Sequence, residues 1–350
     1  MKIKKINFDK LISDEEASKN EGKLLDESYY KKMRKDYLID YDCDGYGLDE
    51  KGKKQLLFKF RKGVIPSNLT NIAIDSFSKA AKVKKENRGA AAGPLDRKKL
   101  PNYVNKLVKP SRFRTYFTKK SDGKKSTRSI SNYAKSNIAG YFDYPSNHDT
   151  VNGSKFVCRE TAFVRCNKQK WNNAQPFIKR VDSVYKNLLK NYYDRQKSRA
   201  DVTPNYVIRD TSFSTLTMNY SFRTAIHKDK HNINTDEGIT VMTVCEDEKN
   251  PNKYSGCYLG FPQYGFVLDV RNGDFLAMDN KTGWHGNTEF IKKTKPVGDK
   301  TDIQNNWHYN RLAMIFYLRD GIQNCVGSKC RKTKKKQARS RNSGRQSLKK

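Results

Sequence analysis

The stretch Phe222-Arg223-Thr224-Ala225-Ile226-His227-Lys228-Asp229 decides how the chain is read. Side chains alternate faces along a β-strand, so a histidine and an aspartate two positions apart project to the same side. Such a pair can supply two ligands of a 2-His-1-carboxylate site for Fe(II), which needs one further histidine from elsewhere and leaves three positions open. Gly283-Trp284-His285-Gly286-Asn287 supplies that histidine. Downstream, Arg311-Leu312-Ala313-Met314-Ile315-Phe316-Tyr317-Leu318 sets a cation on an apolar strand, suited to gripping a carboxylate. A lone His-x-Asp is common. The ordered set of His-x-Asp, distal His and strand-borne Arg is much more specific.

Around this stretch the hydrophobic period is two. Short runs are separated by turn residues: 206–208, 213–220, 222–227, 238–245, 256–261, 265–270, 274–278, 284–290 and 311–318. So many short strands in one stretch predict a two-sheet jelly roll, mainly over 205–320. Before it, Phe177, Ile178, Val181, Val184, Tyr185, Leu188, Leu189 and Tyr192 recur at helical spacing. This predicts one helix over 171–197 that packs on a sheet. The fold class expected is therefore α+β, a double-stranded β-helix (jelly-roll) core with supporting helices.

The 350 residues carry a formal net charge of +34, with 71 Lys and Arg against 37 Asp and Glu. Such an excess seeks polyanions, nucleic acid first. Codon bias toward Lys is the competing explanation, but Arg is also plentiful and the excess is uneven along the chain. Residues 82–130 are one basic region. Within it, Ser111-Arg112-Phe113-Arg114-Thr115-Tyr116-Phe117 predicts a strand with Arg112 and Arg114 on one face and Phe113 and Phe117 on the other. Its basic face could track phosphates or simply be solvated. A second basic region, from Lys329 on, has eleven Lys and Arg and no acid, and is expected to be a disordered tail that binds nucleic acid, directs nuclear import, or both.

Seven cysteines without a Cys-x-x-Cys pair predict free, reduced thiols and no structural zinc. No secretory leader and no membrane span are expected. Asp40 to Lys51 imitates a Ca2+-binding loop, but Lys51 stands where a bidentate Glu is needed, so a polar turn is expected.

Asn219 through Asp229, with the Gly238 segment after it, resembles the metal-binding segment of the TET/JBP dioxygenases, nearer the JBP thymine-hydroxylase branch. Gly260-Phe261-Pro262-Gln263-Tyr264-Gly265, Gly273-Asp274-Phe275-Leu276, His285-Gly286-Asn287 and the Arg311 strand are similar too. So are Asn87-Arg88-Gly89-Ala90-Ala91-Ala92-Gly93 and Ser136-Asn137-Ile138-Ala139-Gly140-Tyr141-Phe142 upstream. The likeness covers a domain at 81–320. It leaves an N-terminal extension of unclear role, 1–80, and the tail, 321–350. Neither a separate base-J reading module nor a cysteine-rich zinc domain is expected.

The resemblance implies that His227, Asp229 and His285 hold Fe(II) and that Arg311 pairs with the distal carboxylate of 2-oxoglutarate, with O2 as the other co-substrate. It implies hydroxylation of the methyl group of thymine or 5-methylcytosine in double-stranded DNA, with the base flipped out of the stack. Arg223, Arg88 and Asn219 are the candidates for holding substrate. Arg223 could equally support the iron site. Arg319 is a rival to Arg311, His308 to His285, and His231 is expected in a loop; a Lys-rich insert, Lys292 to Asn306, lengthens the spacing between His285 and Arg311. The competing functions are a protein or RNA hydroxylase on the same scaffold and a non-catalytic nucleic-acid-binding protein. The expected setting is intracellular: the nucleus, a site of viral or host DNA replication, or the cytoplasm. A monomer is the expected state.

Overall fold

The computed structural model describes residues 3–48, 52–108, 111–126, 128–145, 156–229, 237–247, 254–292 and 311–325. The N-terminal part runs β1 (Lys4–Asn7), α1 (Asp14–Ser18), α2 (Glu27–Met33), β2 (Leu38–Ile39), β3 (Cys43–Leu48), β4 (Lys54–Arg61) and α3 (Ser67–Ala81). Then come β5 (Lys84–Lys85), β6 (Val104–Val108), β7 (Tyr116–Lys119), β8 (Ala134–Pro145) and β9 (Phe156–Glu160). Four helices follow: α4 (Ala162–Cys166), α5 (Lys168–Asn173), α6 (Gln175–Leu188) and α7 (Lys190–Asp201). The remaining strands are β10 (Thr215–Tyr220), β11 (Thr240–Glu246), β12 (Tyr254–Gly256), β13 (Leu259–Phe261), β14 (Phe266–Leu268), β15 (Phe275–Met278), β16 (Gly286–Asn287), β17 (Phe290–Lys292) and β18 (Arg311–Tyr317).

A large sheet in the order β1-β3-β4-β15-β11-β18-β10-β8-β5, with β9 paired to β8, faces a small sheet in the order β16-β13-β14-β2. This is an α+β fold with a jelly-roll core. Alternation along the central strands sorts the layers. Leu312, Met314 and Phe316 of β18 join Leu216 and Met218 of β10 in a core with Phe77, Phe177 and Val181 of the helices. On the other face, Leu276 and Met278 of β15 and Phe58 and Phe60 of β4 pack against Leu259, Phe261, Phe266 and Leu268 of the small sheet. The positions between them on β18, Arg311, Ala313, Ile315 and Tyr317, line a cavity between the sheets. Residues 1–80, whose role the sequence leaves open, contribute β1, β3 and β4 to the large sheet and β2 to the small one.

Several local expectations are corrected. The helix expected over 171–197 is interrupted at Leu189, whose φ of −139° and ψ of 48° are not helical. The break turns α7 back on α6, where the Tyr193 hydroxyl donates to Asp182 at 3.1 Å and that of Tyr185 to Gln196 at 3.2 Å. The run 256–261 is two strands, because Gly256 (φ 70°) and Cys257 (φ 52°) are both left-handed and end β12. The run 284–290 likewise divides into β16 and β17. Residues 206–208 are not a strand; a 3-10 turn covers Pro204–Tyr206. The strand expected at 111–117 begins only at Tyr116, which leaves Arg112 and Arg114 before it. The polar turn expected within Asp40 to Lys51 is strand over Cys43–Leu48, and the buried Asp44 pairs with Arg61 at 2.7 Å and Lys59 at 3.3 Å. Cys158 is bonded to Cys325, against the expectation of free thiols, with Cα atoms 6.0 Å apart. The basic run from Lys329 on, His231, His308 and all but Lys292 of the insert lie outside the described residues. Residues 321–325, counted with the disordered tail, instead belong to a 3-10 turn over Asp320–Cys325 with Ile322 and Cys325 buried. No described helix is long and apolar enough to cross a membrane.

Phe316 is fully buried between the rings of Phe177 and Phe213, 5.9 and 5.4 Å away between centroids. Phe316→Ala should cost about 3–5 kcal/mol of stability in chemical denaturation, the transfer term plus the cavity left behind.

Candidate active site

Three local segments meet at one end of the cavity. His227 and His285 form an isolated antiparallel bridge in which the His227 N–H donates to the His285 carbonyl at 2.9 Å and the reverse bond is 3.1 Å. The segment 222–229 is therefore not the regular strand expected from its pattern: its one β-bridge is to His285, while its other backbone bonds go to separate segments, at Gly22, Lys23, Ala91 and Asn287. The Asp229 N–H donates to the carbonyl of Asn280, just after β15, at 2.8 Å. Gly286 permits the close approach, because a Cβ there would stand 2.9 Å from the backbone of Ala225 and Ile226.

The side chains converge. One ligand atom from each of His227, Asp229 and His285 lies within 4.8 Å of the others. Each imidazole uses Nδ1–H to donate to a backbone carbonyl two residues before it, Ala225 at 2.8 Å and Gly283 at 3.0 Å. This fixes the tautomer and directs both Nε2 atoms toward Asp229, at 3.4 and 3.9 Å from its oxygens. Asn280 Nδ2 donates to Asp229 Oδ2 at 2.6 Å, and the Thr240 hydroxyl donates to the side-chain Oδ1 of Asn280 at 2.6 Å. Two neutral imidazoles and a carboxylate, held by such outer partners, fit one divalent metal with open positions.

Burial and the neighbouring charges set the protonation of the three groups. Burial pulls the pKa of His227 down, but the hydrogen bond and charge of Asp229 outweigh it and hold it above its ordinary 6.5. Burial and the neighbouring His227 push His285 down to about 4. Burial raises Asp229, yet His227, His285 and Arg88 bring it to about 2.

The cavity holds about 770 Å³. Arg311 is 2% exposed, and its Nε and Nη2 atoms have no hydrogen-bond partner among the described residues. Burial works against its charge, but Cys257, Tyr254 and Glu246 nearby raise its pKa. A buried guanidinium with unused donors is costly unless an anion completes it. Arg319 also lines the cavity, but its Nε is occupied by Asp143. Asn219 lines the cavity and accepts from the Ser136 hydroxyl. Arg88 lines it too, with a buried Nε that lacks a partner among the described residues. Arg223 does not line the cavity. It donates to Leu25 and Asn287 carbonyls, each at 3.1 Å, and pairs with Asp26 at 2.5 Å. It therefore ties the ligand segment to the N-terminal part. Sequence reasoning missed Asn280 and Thr240, since nothing in an Asp-Asn-Lys-Thr-Gly turn marks one amide as a carboxylate's partner.

A jelly roll with two histidines and one carboxylate at one end of its cavity is the arrangement of the mononuclear iron oxygenases. The chain belongs to the Tet_JBP family, the oxygenase domain of the 2OGFeDO superfamily, whose model matches residues 137–320. The superfamily uses Fe(II), 2-oxoglutarate and O2, and the donor set described above fits them. The chain is 34% identical over 203 residues to thymine dioxygenase JBP1 of Trypanosoma brucei brucei, a match covering 57% of this chain and 21% of that protein. It is 30% identical over 189 residues to the bifunctional helicase and thymine dioxygenase JBP2 of Leishmania braziliensis, covering 54% of this chain and 15% of that protein. The chain thus spans about a fifth or less of the length of these curated relatives. A solved structure of NgTET1 in complex with 5mC DNA aligns with a TM-score of 0.42 and 10% identity, over 95% of this chain and 100% of that one.

Two outcomes follow from the geometry. Near pH 5–6 only His227 holds a proton that a metal must displace, because His285 and Asp229 titrate at about 4 and 2. The log affinity for Co(II) should rise by about one per pH unit there and level off above the pKa of His227. A slope near two, or none, would contradict the assignment. Asn280→Ala should weaken Co(II) binding about 10- to 100-fold while leaving the melting transition in place.

Proposed function

We propose that this chain is an Fe(II)/2-oxoglutarate-dependent dioxygenase that hydroxylates the methyl group of a pyrimidine base in DNA, thymine first and 5-methylcytosine second. The observation that carries this is the buried, incompletely paired Arg311 on the cavity that also holds the His-Asp-His cluster. Thymine is placed first because the relatives at 30–34% identity are thymine dioxygenases.

In this proposal His227, Asp229 and His285 hold the metal through two Nε2 atoms and a carboxylate oxygen. Arg311 binds the distal carboxylate of 2-oxoglutarate, where a planar fork gives two charge-assisted bonds. The bound metal, with 2-oxoglutarate and O2, supplies the oxidant that converts a C–H bond to C–OH. Met242, Met278, Ala313 and Ile315 form an apolar wall that excludes water from that bond. Asn219 and Arg88 face the same space and offer donors to a base edge. A methyl group in the major groove reaches this cavity only if its base leaves the stack. The partner is therefore duplex DNA with one flipped base, and the site of action is wherever that DNA is kept or copied.

The test is mass spectrometry of nucleosides after incubation with Fe(II), 2-oxoglutarate and duplex DNA, with and without 5-methylcytosine. The proposal expects 5-hydroxymethyluracil or 5-hydroxymethylcytosine from wild type and neither from His285→Ala. Unmodified DNA alongside hydroxylated RNA or protein would overturn it. Arg311→Ala should lower the affinity for 2-oxoglutarate by about thirtyfold or more, as loss of a buried charge partner costs about 2–5 kcal/mol, and spare Co(II) binding. The same phenotype in Arg319→Ala instead would reassign the carboxylate.

A further inference from the structure

We propose that the β6–β7 hairpin is a phosphate-gripping arm that holds the DNA backbone beside the cavity. The proposal rests on the duplex-DNA reading above and adds the surface that would position the duplex.

Residues 96–128 contain twelve Lys and Arg against two Asp. Those two acids, with Glu86, already have partners: Asp96 meets Lys99 at 4.0 Å, Asp122 meets Lys119 at 3.5 Å, and Glu86 meets Arg128 at 3.2 Å. Arg97, Lys98, Lys106, Lys120 and Lys124 are exposed, with no carboxylate within 4.0 Å among the described residues. The excess charge therefore stands without counter-charge on one small element.

The element is built to hold its shape. β6 and β7 pair antiparallel over Val104–Val108 and Tyr116–Lys119. Val104, Phe117 and Ile130 form a small core of their own, with Leu100 and Leu107 against it. The segment Ser111–Arg114, between the two strands, is fixed to the cavity rim. Arg114 donates to the Asn87 carbonyl at 2.8 Å, and the Leu95 N–H to the Arg112 carbonyl at 2.8 Å. The Phe113 ring lies so close over Gly22 that a Cβ there would stand 2.1 Å from it. Ser111, Phe113 and Arg114 themselves line the cavity. A ligand entering the cavity thus meets the hairpin on its way in.

The chemistry of the surface selects a polyanion. Cores of protein interfaces lose charge and gain apolar anchors. Here the exposed aromatics are Tyr103 and Tyr116, and each carries a cation over its ring, Arg128 at 5.3 Å and Lys125 at 5.2 Å. A five-residue strand is about 17 Å long, and phosphates recur about every 3.4 Å along each DNA strand, so the arm can meet a few phosphates at once. Such contacts position the duplex and carry no sequence preference.

The experiment titrates the full chain onto a fluorescent duplex DNA across a salt series. It compares wild type, a K106Q/K120Q/K124Q/K125Q variant and the corresponding four-fold Lys→Arg variant, with thermal melts showing that each is folded. The Gln variant should bind at least about tenfold more weakly at low salt. Its slope of log K against log salt should be shallower by about 2–3.5, near 0.9 for each phosphate that is no longer neutralised. The Arg variant should keep wild-type affinity and slope. Wild-type affinity and slope in the Gln variant would overturn the arm while leaving the proposed function intact. A wild type that binds no duplex DNA would overturn both. Tighter binding of duplex RNA through the same lysines would overturn the choice of DNA.

Discussion

The site depends on two backbone hydrogen bonds. The reciprocal bridge between His227 and His285, at 2.9 and 3.1 Å, joins segments that are remote in sequence and belong to different parts of the jelly roll. Once made, it leaves the imidazoles little freedom. Their centroids are 4.4 Å apart, and each Nδ1 is taken by a local carbonyl. Asp229 then joins through its own backbone bond to Asn280. The placing of the three candidate ligands is thus set by main-chain pairing. That is the preorganisation a site with three open positions requires.

The sheets matter because they set where this bridge falls. β18 lies at the centre of the large sheet, between β11 and β10, and its alternation sends Leu312, Met314 and Phe316 to the helices. The same alternation sends Arg311 into the cavity. Burial works against that cation, and the nearby Glu246 carboxylate works for it. Arg88, Arg114 and Arg319 add to the positive field on the cavity, against Glu21 and Asp229 as its acidic lining residues among those described. An anionic co-substrate and an anionic polymer are the ligands such a field collects.

Much of this was legible in the sequence, and the illegible parts have identifiable causes. His227, Asp229, His285 and Arg311 stand out because few arrangements place those residue types in that order on apolar runs. The period-two pattern found most strands of the jelly roll, since successive residues point to opposite faces of the sheet. It failed where backbone bonding departs from pattern. Residues 222–227 alternate like a strand but form a single bridge, and Gly256-Cys257 ends a strand through positive φ that no apolar count reveals. The break at Leu189 has neither Gly nor Pro to announce it; its gain is the Tyr193–Asp182 and Tyr185–Gln196 pairing. The Cys158–Cys325 bond spans 167 residues and follows from the tertiary fold alone. For Arg223 the sequence left two readings, substrate contact or support of the site; it does not line the cavity and bonds Leu25, Asp26 and Asn287 instead. Asn280 supports Asp229 from a turn of ordinary composition.

The central claim is that one cavity places a metal on His227, Asp229 and His285 and a dicarboxylate on Arg311. A crystal structure of the protein grown without oxygen, with Fe(II) and 2-oxoglutarate, tests it most directly. The account predicts iron on both Nε2 atoms and an Asp229 oxygen, and the distal carboxylate in a two-point bond with the Arg311 guanidinium. Iron held by any other set of residues, or the distal carboxylate on Arg88 or Arg319 with Arg311 left unpaired, would contradict it.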